Sequence, residues 1–212
     1  MFHDRKHGAR LLAEILDEYK DSDAVIVAIS RGGVPIGYHL ANSLHLPLDI
    51  ISSKQIKDPA HSHLTIGSVS LDGLDLIENN SHIPQDYIYH QTSMIKFNLH
   101  NQYKFYRGNE EPIDVKDKIV ILVDDKLTYE NQILACLRSI RNHQPRKIIV
   151  ASPVVSTAVR RRLDRECCEI SCLMIAPNTA HVETFYEVLP KVTDEEVKRL
   201  LENSKGNYNM AY

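Results

Sequence analysis

Two polar segments that each follow an apolar run contain the residues with the most telling chemistry. Ser30-Arg31-Gly32-Gly33 comes after the run at 24–29, and Asp124-Asp125 comes after the run at 118–123. Adjacent glycines let backbone amides approach an anion closely, and an arginine adds a bidentate contact to phosphate. Neighbouring carboxylates suit sugar hydroxyls or a hydrated Mg²⁺. The first segment therefore favours a phosphate-type anion, and the second favours a sugar or a metal ion.

Each segment also has a purely structural interpretation. Gly32 and Gly33 are equally typical of a tight turn between a strand and a helix that binds nothing. Asp125 or Thr128 could cap the following helix, with the acidic pair in an exposed turn. A pair of glycines is a weak signal, so the local pattern leaves both alternatives open.

The surrounding elements predict an α/β fold with a doubly wound, mostly parallel sheet flanked by helices. The runs at 24–29 and 118–123 are continuous and rich in β-branched residues, which is typical of strands buried on both faces. Ligands of such sheets bind outside the carboxyl ends of the strands, where both polar segments lie. The other predicted elements of the sheet layers are helices over 34–44, 130–141 and 156–166 and strands over 46–51, 147–151 and 170–175.

A polar flap is predicted between the first βαβ unit and the second half of the chain. Residues 52–64 form a long polar loop that contains Lys54, and residues 66–71 and 74–77 alternate as a short hairpin. We therefore expect a small flap or hood over about 52–80.

Helices are predicted at both ends and after the flap. The segment 4–20 has helical spacing and begins at a capping residue, Asp4 or a neighbour. Thr193 with Glu196 forms a capping box that opens the last helix, and residues 206–212 are expected to fray. A long helical insertion over about 84–106 is largely polar, so we expect it against the body or a partner subunit. The 212 residues then form a single domain, 1–212.

Composition disfavours several classes of protein. The net charge of −3 disfavours a dedicated nucleic-acid binder, which usually has a basic surplus. No apolar run approaches the ~18–20 residues that span a bilayer, so no membrane association is expected. The charged start lacks the apolar segment of a signal peptide, and the four cysteines are typical of reduced thiols, so we expect a cytoplasmic protein. Neither the histidines nor Cys167, Cys168 and Cys172 have the spacing of a common metal site.

Taken in order, the two polar segments resemble the signature of the type I phosphoribosyltransferase family. The resemblance lies in Ser-Arg-Gly-Gly-Val-Pro near the start of the chain and in Val-Ile-Leu-Val-Asp-Asp at the end of the run at 118–123. Further similarity to a bacterial subgroup of this family extends over nearly the whole chain. It lies in Asp4-Arg5 with Gly8, in Ile66-Gly67-Ser68-Val69, in Phe105-Tyr106-Arg107-Gly108 and in Phe185-Tyr186 with Thr193-Asp194-Glu195-Glu196-Val197.

The resemblance implies a role for each segment. Ser30, Arg31, Gly32 and Gly33 would bind the pyrophosphate of phosphoribosyl pyrophosphate, and Lys54 of the flap would reach the same group. Asp124 and Asp125 would be the catalytic pair on the ribose hydroxyls, with Mg²⁺ bound through them indirectly. The implied reaction is a glycosyltransferase step of nucleotide metabolism that moves ribose 5-phosphate to a nitrogenous base. The implied assembly is a homodimer.

The chain departs from this family in the loop after the acidic pair. Members that catalyse the reaction read x-x-x-Thr-Gly-x-Thr there and cradle the 5′-phosphate. Here Tyr129, Glu130 and Gln132 replace the threonine, the glycine and the second threonine, and the Glu130 carboxylate would repel a phosphate. No glycine lies between Gly108 and Gly206 to supply another such loop. The expected ligand contacts of this loop are Lys126, Thr128, Tyr129, Glu130, Asn131 and Gln132.

Two functions from different classes follow. The first is an active transferase that uses phosphoribosyl pyrophosphate, although losing the 5′-phosphate loop should lower its rate as well as its affinity. The second is a non-catalytic module on the same fold that binds a nucleotide, a related phosphosugar or a protein partner. A nucleic-acid-contacting regulator ranks last, because Arg160, Arg161 and Arg162 are followed by acidic residues, as on a solvated helix face.

Overall fold

A five-stranded parallel sheet forms the centre of the computed structural model, which describes residues 1–77, 83–166, 169–177 and 181–208. The strands are β1 (Val25–Ile29), β2 (Leu48–Ile51), β3 (Ser53–Lys57), β4 (Thr65–Ser70), β5 (Leu74–Leu76), β6 (Ile119–Val123), β7 (Lys147–Ser156) and β8 (Glu169–Ala176). The central sheet has the order β2-β1-β6-β7-β8, and β3-β4-β5 forms a separate antiparallel sheet.

Helices cover both faces of the central sheet, which confirms the doubly wound arrangement. They are α1 (Arg5–Ile15), α2 (Gly33–Leu44), α3 (Gln85–Arg107), α4 (Glu130–Arg141), α5 (Thr157–Arg165) and α6 (Asp194–Tyr208). Side chains of α1, α2 and α6 pack on one face with Ile26 and Ala28, and side chains of α4 and α5 pack on the other face with Val25 and Val27. Strand β1 alternates between the two cores because successive side chains point to opposite faces.

Apart from shifts of one or two residues at the ends of elements, four features differ from the sequence-based expectation. Helix α1 ends at Ile15, and a 3₁₀ turn, Asp17–Tyr19, follows it. Strand β7 runs through Pro153 to Ser156. This is tolerated because Pro153 has no paired residue in either neighbouring strand: the pairing with β6 ends at Ala151, and the pairing with β8 passes from Ser152 to Val154. The expected fraying from 206 is wrong as far as Tyr208, which is helical, and residues 209–212 lie outside the described residues.

The fourth difference is that the polar flap contains a strand, β3, which pairs with the hairpin β4-β5. Ile56 is the buried residue of this otherwise polar strand. It packs with Ile66 and Val69 against Ile95 and Leu99 of α3. The flap and α3 therefore share one small core, and α3 lies against the body. The turn at Gly73 touches α4 so closely that a Cβ there would stand 2.0 Å from the carbonyl oxygen of Ala135. Residues 78–80 of the expected flap lie outside the described residues.

The predicted caps are present at both terminal helices. Asp4 accepts a hydrogen bond from the amide of His7 at the start of α1. Thr193 accepts one from the amide of Glu196 at the start of α6. Among the helices of the described residues, none is both long and apolar enough to cross a membrane. Cys136 and Cys172 are free thiols, whereas Cys167 and Cys168 lie outside the described residues.

Candidate functional site

The carboxyl ends of β1 and β6 lie side by side and open into a cavity of about 570 Å³, here called the sheet-edge cavity. Three parts of the chain form its walls: the loop between β1 and α2, the segment between β6 and α4, and the segment before α6. The lining of the cavity includes Arg5, Ser30, Arg31, Gly32, Asp124, Asp125, Lys126, Thr128, Tyr129, Gln132, Lys191, Thr193, Asp194 and Glu195. The two polar segments that the sequence singles out therefore meet at this one site.

Gly32 and Gly33 are required where these two segments touch. A Cβ on Gly33 would lie 2.5 Å from the carbonyl oxygen of Val123, and one on Gly32 would lie 2.6 Å from the Asp125 carboxylate. Such distances exclude every side chain, because the opposing atoms belong to the backbone of β6 and to a buried carboxylate. Packing is thus sufficient to explain both glycines. The peptide bond between Ser30 and Arg31 is cis.

Asp125 is buried and paired with Arg5, the first residue of α1. Both Nε and Nη2 of Arg5 donate to Asp125 Oδ2, at 2.8 and 2.7 Å. The Tyr186 hydroxyl donates to the main-chain oxygen of Asp125, and burial raises the pKa of Tyr186 so that it remains a donor. Asp125 is therefore surrounded by protein contacts on the side of α1 and the C-terminal segment.

Asp124 has a different environment from its neighbour. It is partly exposed and lines the sheet-edge cavity, and its Oδ1 accepts the amide hydrogen of Asp125 at 2.8 Å. Although the residue is partly exposed, the protein around its carboxyl group displaces much of the water there. This desolvation, followed by the adjacent charge of Asp125, raises the pKa of Asp124 well above its ordinary value of 3.8. Of the acidic pair, Asp124 is the carboxyl group that a ligand in the cavity can reach.

The Arg31 side chain lies half exposed at the mouth of the cavity. Its Nη1 is 3.5 Å from Asp194 Oδ2, which is a loose ion pair. The hydroxyl of Tyr106, from the end of α3, donates to the other oxygen of Asp194. Burial and this hydrogen bond raise the pKa of Tyr106. Arg31 is thus only loosely held by the protein.

The segment after the acidic pair reaches the N-terminus of α4, where Tyr129 makes no side-chain capping bond. Lys126 is paired with Glu183, and hydrogen bonding to Lys126 lowers the pKa of Glu183. Thr128, Tyr129 and Gln132 line the sheet-edge cavity.

A second cavity, of about 830 Å³, separates the flap from the N-terminus of α4 and is here called the flap cavity. Glu130 and Asn131 line this flap cavity and are absent from the lining of the sheet-edge cavity. Lys54 also lines the flap cavity, whereas Ser53 lines both. Lys54, Glu130 and Asn131 therefore line the flap cavity alone, whereas Thr128, Tyr129 and Gln132 line both cavities.

Several residues of the sheet-edge cavity were not predicted from the sequence. Arg5, Lys191, Asp194 and Glu195 contribute charged side chains, and Tyr106 acts on Asp194. The four that line the cavity lie roughly 70 to 120 positions from the acidic pair in the printed sequence, so no local spacing connects them. Two signals lay near them. The capping box at Thr193 indicated the start of a helix, and the family similarity included Arg5, Tyr106, Asp194 and Glu195 but implied no role for them.

The side chains of the cavity determine how Mg²⁺ could bind there. Among residues 1–77, 83–166, 169–177 and 181–208, no group of three or more His, Cys, Asp or Glu side chains could hold a metal ion. Asp125 is occupied by Arg5, so Asp124 is the carboxylate of the acidic pair that is left for a cation. Mg²⁺ characteristically uses one or two carboxylates with water and substrate phosphates. The residues therefore fit an Mg²⁺ that arrives with a diphosphate, held by Asp124.

The environment of Asp124 predicts a pH-dependent effect on stability. A carboxyl group with a raised pKa in the folded state contributes stability below its ordinary pKa, and this contribution is lost as the pH rises through the folded-state value. Asp124→Asn should therefore raise the Tm relative to wild type above pH 7 in EDTA, and the gain should vanish towards pH 4. Thermal unfolding by circular dichroism measures this, with the exposed Asp164→Asn as control. An unchanged or lower Tm at pH 8 would contradict the raised pKa.

Solved structures share this fold. A crystal structure of a protein from Thermus thermophilus has a TM-score of 0.81 at 27% identity, covering 95% of this chain and 98% of that one. The purine phosphoribosyltransferase of Pyrococcus horikoshii Ot3 has a TM-score of 0.52 at 18% identity, covering 88% and 87%. At that identity, the second similarity supports the fold alone.

The chain spans about half the length of the curated relatives that it matches. A Mycobacterium tuberculosis H37Rv protein named "Putative phosphoribosyl transferase" is 23% identical over an alignment of 212 positions, which covers 98% of this chain and 48% of that protein. Residues 2–185 match the family described as phosphoribosyl transferase domain, and this match includes both strand ends that form the sheet-edge cavity. The chain belongs to the phosphoribosyl transferase domain family.

Proposed function

We propose that the sheet-edge cavity binds phosphoribosyl pyrophosphate, or a closely related phosphosugar or nucleotide, and that the chain transfers ribose 5-phosphate from it to a nitrogenous base. The observation that carries this proposal is the meeting of Arg31 and Asp124 in one cavity at the adjoining ends of β1 and β6. A phosphate-binding cation and a hydroxyl-binding carboxylate then face the same space. Family membership adds the reaction class.

The chain's own residues would bind and orient the donor. Arg31 is half exposed and only loosely paired, so it can turn towards the pyrophosphate at little cost. Asp124 would accept hydrogen bonds from the ribose hydroxyls, and the amides at the start of α4 would face the 5′-phosphate. In the transfer, the bond from the ribose carbon to pyrophosphate breaks and a bond to the ring nitrogen of the base forms. When bound, Mg²⁺ would neutralise charge on the leaving pyrophosphate.

The lining of the two cavities weakens the main objection to this reaction. Glu130 replaces the glycine of the family's phosphate loop, and its carboxylate would repel a 5′-phosphate beside it. In the structure Glu130 lines the flap cavity, whereas Thr128 and Gln132 line both cavities. A 5′-phosphate in the sheet-edge cavity would therefore have hydroxyl and amide donors, with Glu130 outside the lining of that cavity.

A specific observation favours the alternative, a non-catalytic nucleotide- or partner-binding module. The sheet-edge cavity is lined by four basic and four acidic side chains: Arg5, Arg31, Lys126 and Lys191 with Asp124, Asp125, Asp194 and Glu195. Three of the four cations are paired with carboxylates of the protein, at Asp125, Asp194 and Glu183. An active site for a highly charged anion would need to break or bypass such pairs.

Two further proposals concern the setting of the protein. We expect a cytoplasmic homodimer, as the family resemblance implies. The solvent-facing side of α3 exposes Tyr89, Met94, Phe97 and Phe105, which would suit a subunit interface. Sedimentation equilibrium at micromolar concentration should give a dimer mass for the wild type, and Phe97→Ser should shift it towards monomer. A wild-type monomer would contradict this expectation.

Calorimetric titration distinguishes the proposed functions. Phosphoribosyl pyrophosphate with Mg²⁺ should bind with a micromolar Kd, and pyrophosphate and ribose 5-phosphate should each bind more weakly. Arg31→Gln should weaken pyrophosphate binding about tenfold through loss of a charged contact, whereas Arg10→Gln, on the exposed face of α1, should not change it.

Pyrophosphate release with a panel of nitrogenous bases then decides between the two classes. Release with one base supports the transferase. Binding without release from any base supports the non-catalytic module. A folded protein that binds none of the three ligands would contradict the proposed ligand class and direct the search towards protein partners.

The position of Glu130 gives a separate prediction for the altered loop. If the 5′-phosphate lies between the two cavities, Glu130→Gln removes a nearby like charge and should strengthen ribose 5-phosphate binding about threefold to tenfold. Pyrophosphate binding should stay within twofold, since Arg31 lies at the other wall. Both are measured by the same titration, with the exposed Glu202→Gln as control. An unchanged affinity for ribose 5-phosphate would contradict the expected repulsion between the Glu130 carboxylate and the bound phosphate.

A further inference from the structure

The Arg5 side chain joins three separate parts of the sheet-edge cavity. Its Nε and Nη2 donate to Asp125 Oδ2, and its Nη1 donates to the carbonyl oxygen of Pro190 at 2.7 Å. The side chains of Arg5 and Asp125 are only 12% and 5% exposed. Opening a pair with this geometry and burial would leave a charge uncompensated inside the protein, so the pair holds both side chains in place.

Asp125 is enclosed on its second side by the loop after β1. A Cβ on Gly32 would lie 2.6 Å from Asp125 Oδ1 and 2.7 Å from Oδ2, so the backbone of the loop lies directly on the carboxylate. Arg5 therefore holds one oxygen of Asp125 and the Gly32 backbone crowds both, although Asp125 still belongs to the lining of the cavity. Asp124, by contrast, is partly exposed and faces the cavity.

The Pro190 contact anchors the C-terminal wall of the cavity. Phe2 donates its amide to Phe185, and the amides of Glu187 and Val188 donate to Phe2 and His3. The segment 185–188 is thereby attached beside the N-terminus. Arg5 adds a fixed point at Pro190, immediately before Lys191, Thr193 and Asp194 enter the lining of the cavity.

We infer that Arg5 is a positioning residue of the ligand site: it fixes Asp125 as a structural anchor and holds the 190–195 wall, so that Asp124 alone of the acidic pair contacts the ligand. This inference rests on the proposed function, because it assigns roles to residues of the same cavity. It separates two adjacent aspartates that the family resemblance assigns to one role.

Five variants, the four that follow and Arg5→Lys, are compared with wild type. Arg5→Met removes the anchor while keeping much of the side-chain volume. Asp125→Asn and Asp124→Asn each keep a carbonyl oxygen and remove one charge. Arg141→Met is the matched control, because Arg141 likewise donates to one carboxylate and one carbonyl, both of Glu166, and lies outside the cavity lining.

Three quantities are measured for each variant. They are the Kd for phosphoribosyl pyrophosphate with Mg²⁺ by calorimetry, the Tm, and amide hydrogen exchange of residues 185–193 in the absence of ligand. The titrations are run well below the lowest Tm of the set, so that every sample is folded. Arg5→Lys, which keeps the charge and one donor, is included as the conservative variant in case Arg5→Met does not fold.

Arg5→Met should weaken phosphoribosyl pyrophosphate binding at least tenfold, because the wall and the acidic pair lose their alignment. Its Tm should fall by about 10 °C, since the buried Asp125 loses its partner. Exchange at 185–193 should accelerate in Arg5→Met, while Arg141→Met should keep wild-type exchange and affinity. Arg5→Lys should recover part of the affinity.

The two aspartate variants should differ from each other. Asp124→Asn should lose at least tenfold in affinity without a fall in Tm. Asp125→Asn should keep its affinity within about threefold and have a lower Tm.

The outcomes separate this inference from the proposed function. A folded wild type that does not bind the donor contradicts the proposed function, and the exchange of 185–193 still decides whether Arg5 anchors the wall. If the wild type binds, an Arg5→Met protein with wild-type affinity overturns the inference. Equal losses of affinity for Asp124→Asn and Asp125→Asn overturn it as well, because both carboxylates would then contact the ligand.

Discussion

The contact between the loop after β1 and the end of β6 is the constraint on which the site depends. Only glycine fits at positions 32 and 33, because the carbonyl of Val123 and the carboxylate of Asp125 occupy the space of any Cβ. This contact brings Arg31 and Asp124 to one cavity. The Arg5–Asp125 pair then fixes the same corner from the side of α1, so two independent contacts determine where the acidic pair points.

The sequence was sufficient for the layers of the fold and for the two strand ends, because these are local patterns. Continuous β-branched runs at β1 and β6 are typical of buried parallel strands, and the polar residues at their ends follow directly. Strand β3 was missed because its polar residues conceal one buried position, Ile56. The Arg5–Asp125 and Tyr106–Asp194 contacts join distant parts of the chain, and no periodicity encodes such pairs.

The charges of the cavity explain why two functions remain in competition. Cations that would suit a pyrophosphate are present, but Arg5 and Lys126 are paired with carboxylates of the protein. Arg31 is the loosely held exception, and Asp124 is the accessible carboxylate. Glu130, which replaces a glycine of the family's loop, lines the flap cavity instead of the sheet-edge cavity. The site is therefore altered most where the 5′-phosphate would bind and least where the pyrophosphate and ribose would bind.

We propose that Asp124 contacts the ligand, whereas Asp125 remains paired with Arg5. The direct test of this division is a crystal structure of the protein with phosphoribosyl pyrophosphate and Mg²⁺. The ligand should lie in the sheet-edge cavity, with a ribose hydroxyl on Asp124, the pyrophosphate on Arg31 and the Arg5–Asp125 pair intact. A ribose hydroxyl on Asp125 with Arg5 displaced, or a ligand bound only in the flap cavity, would contradict it.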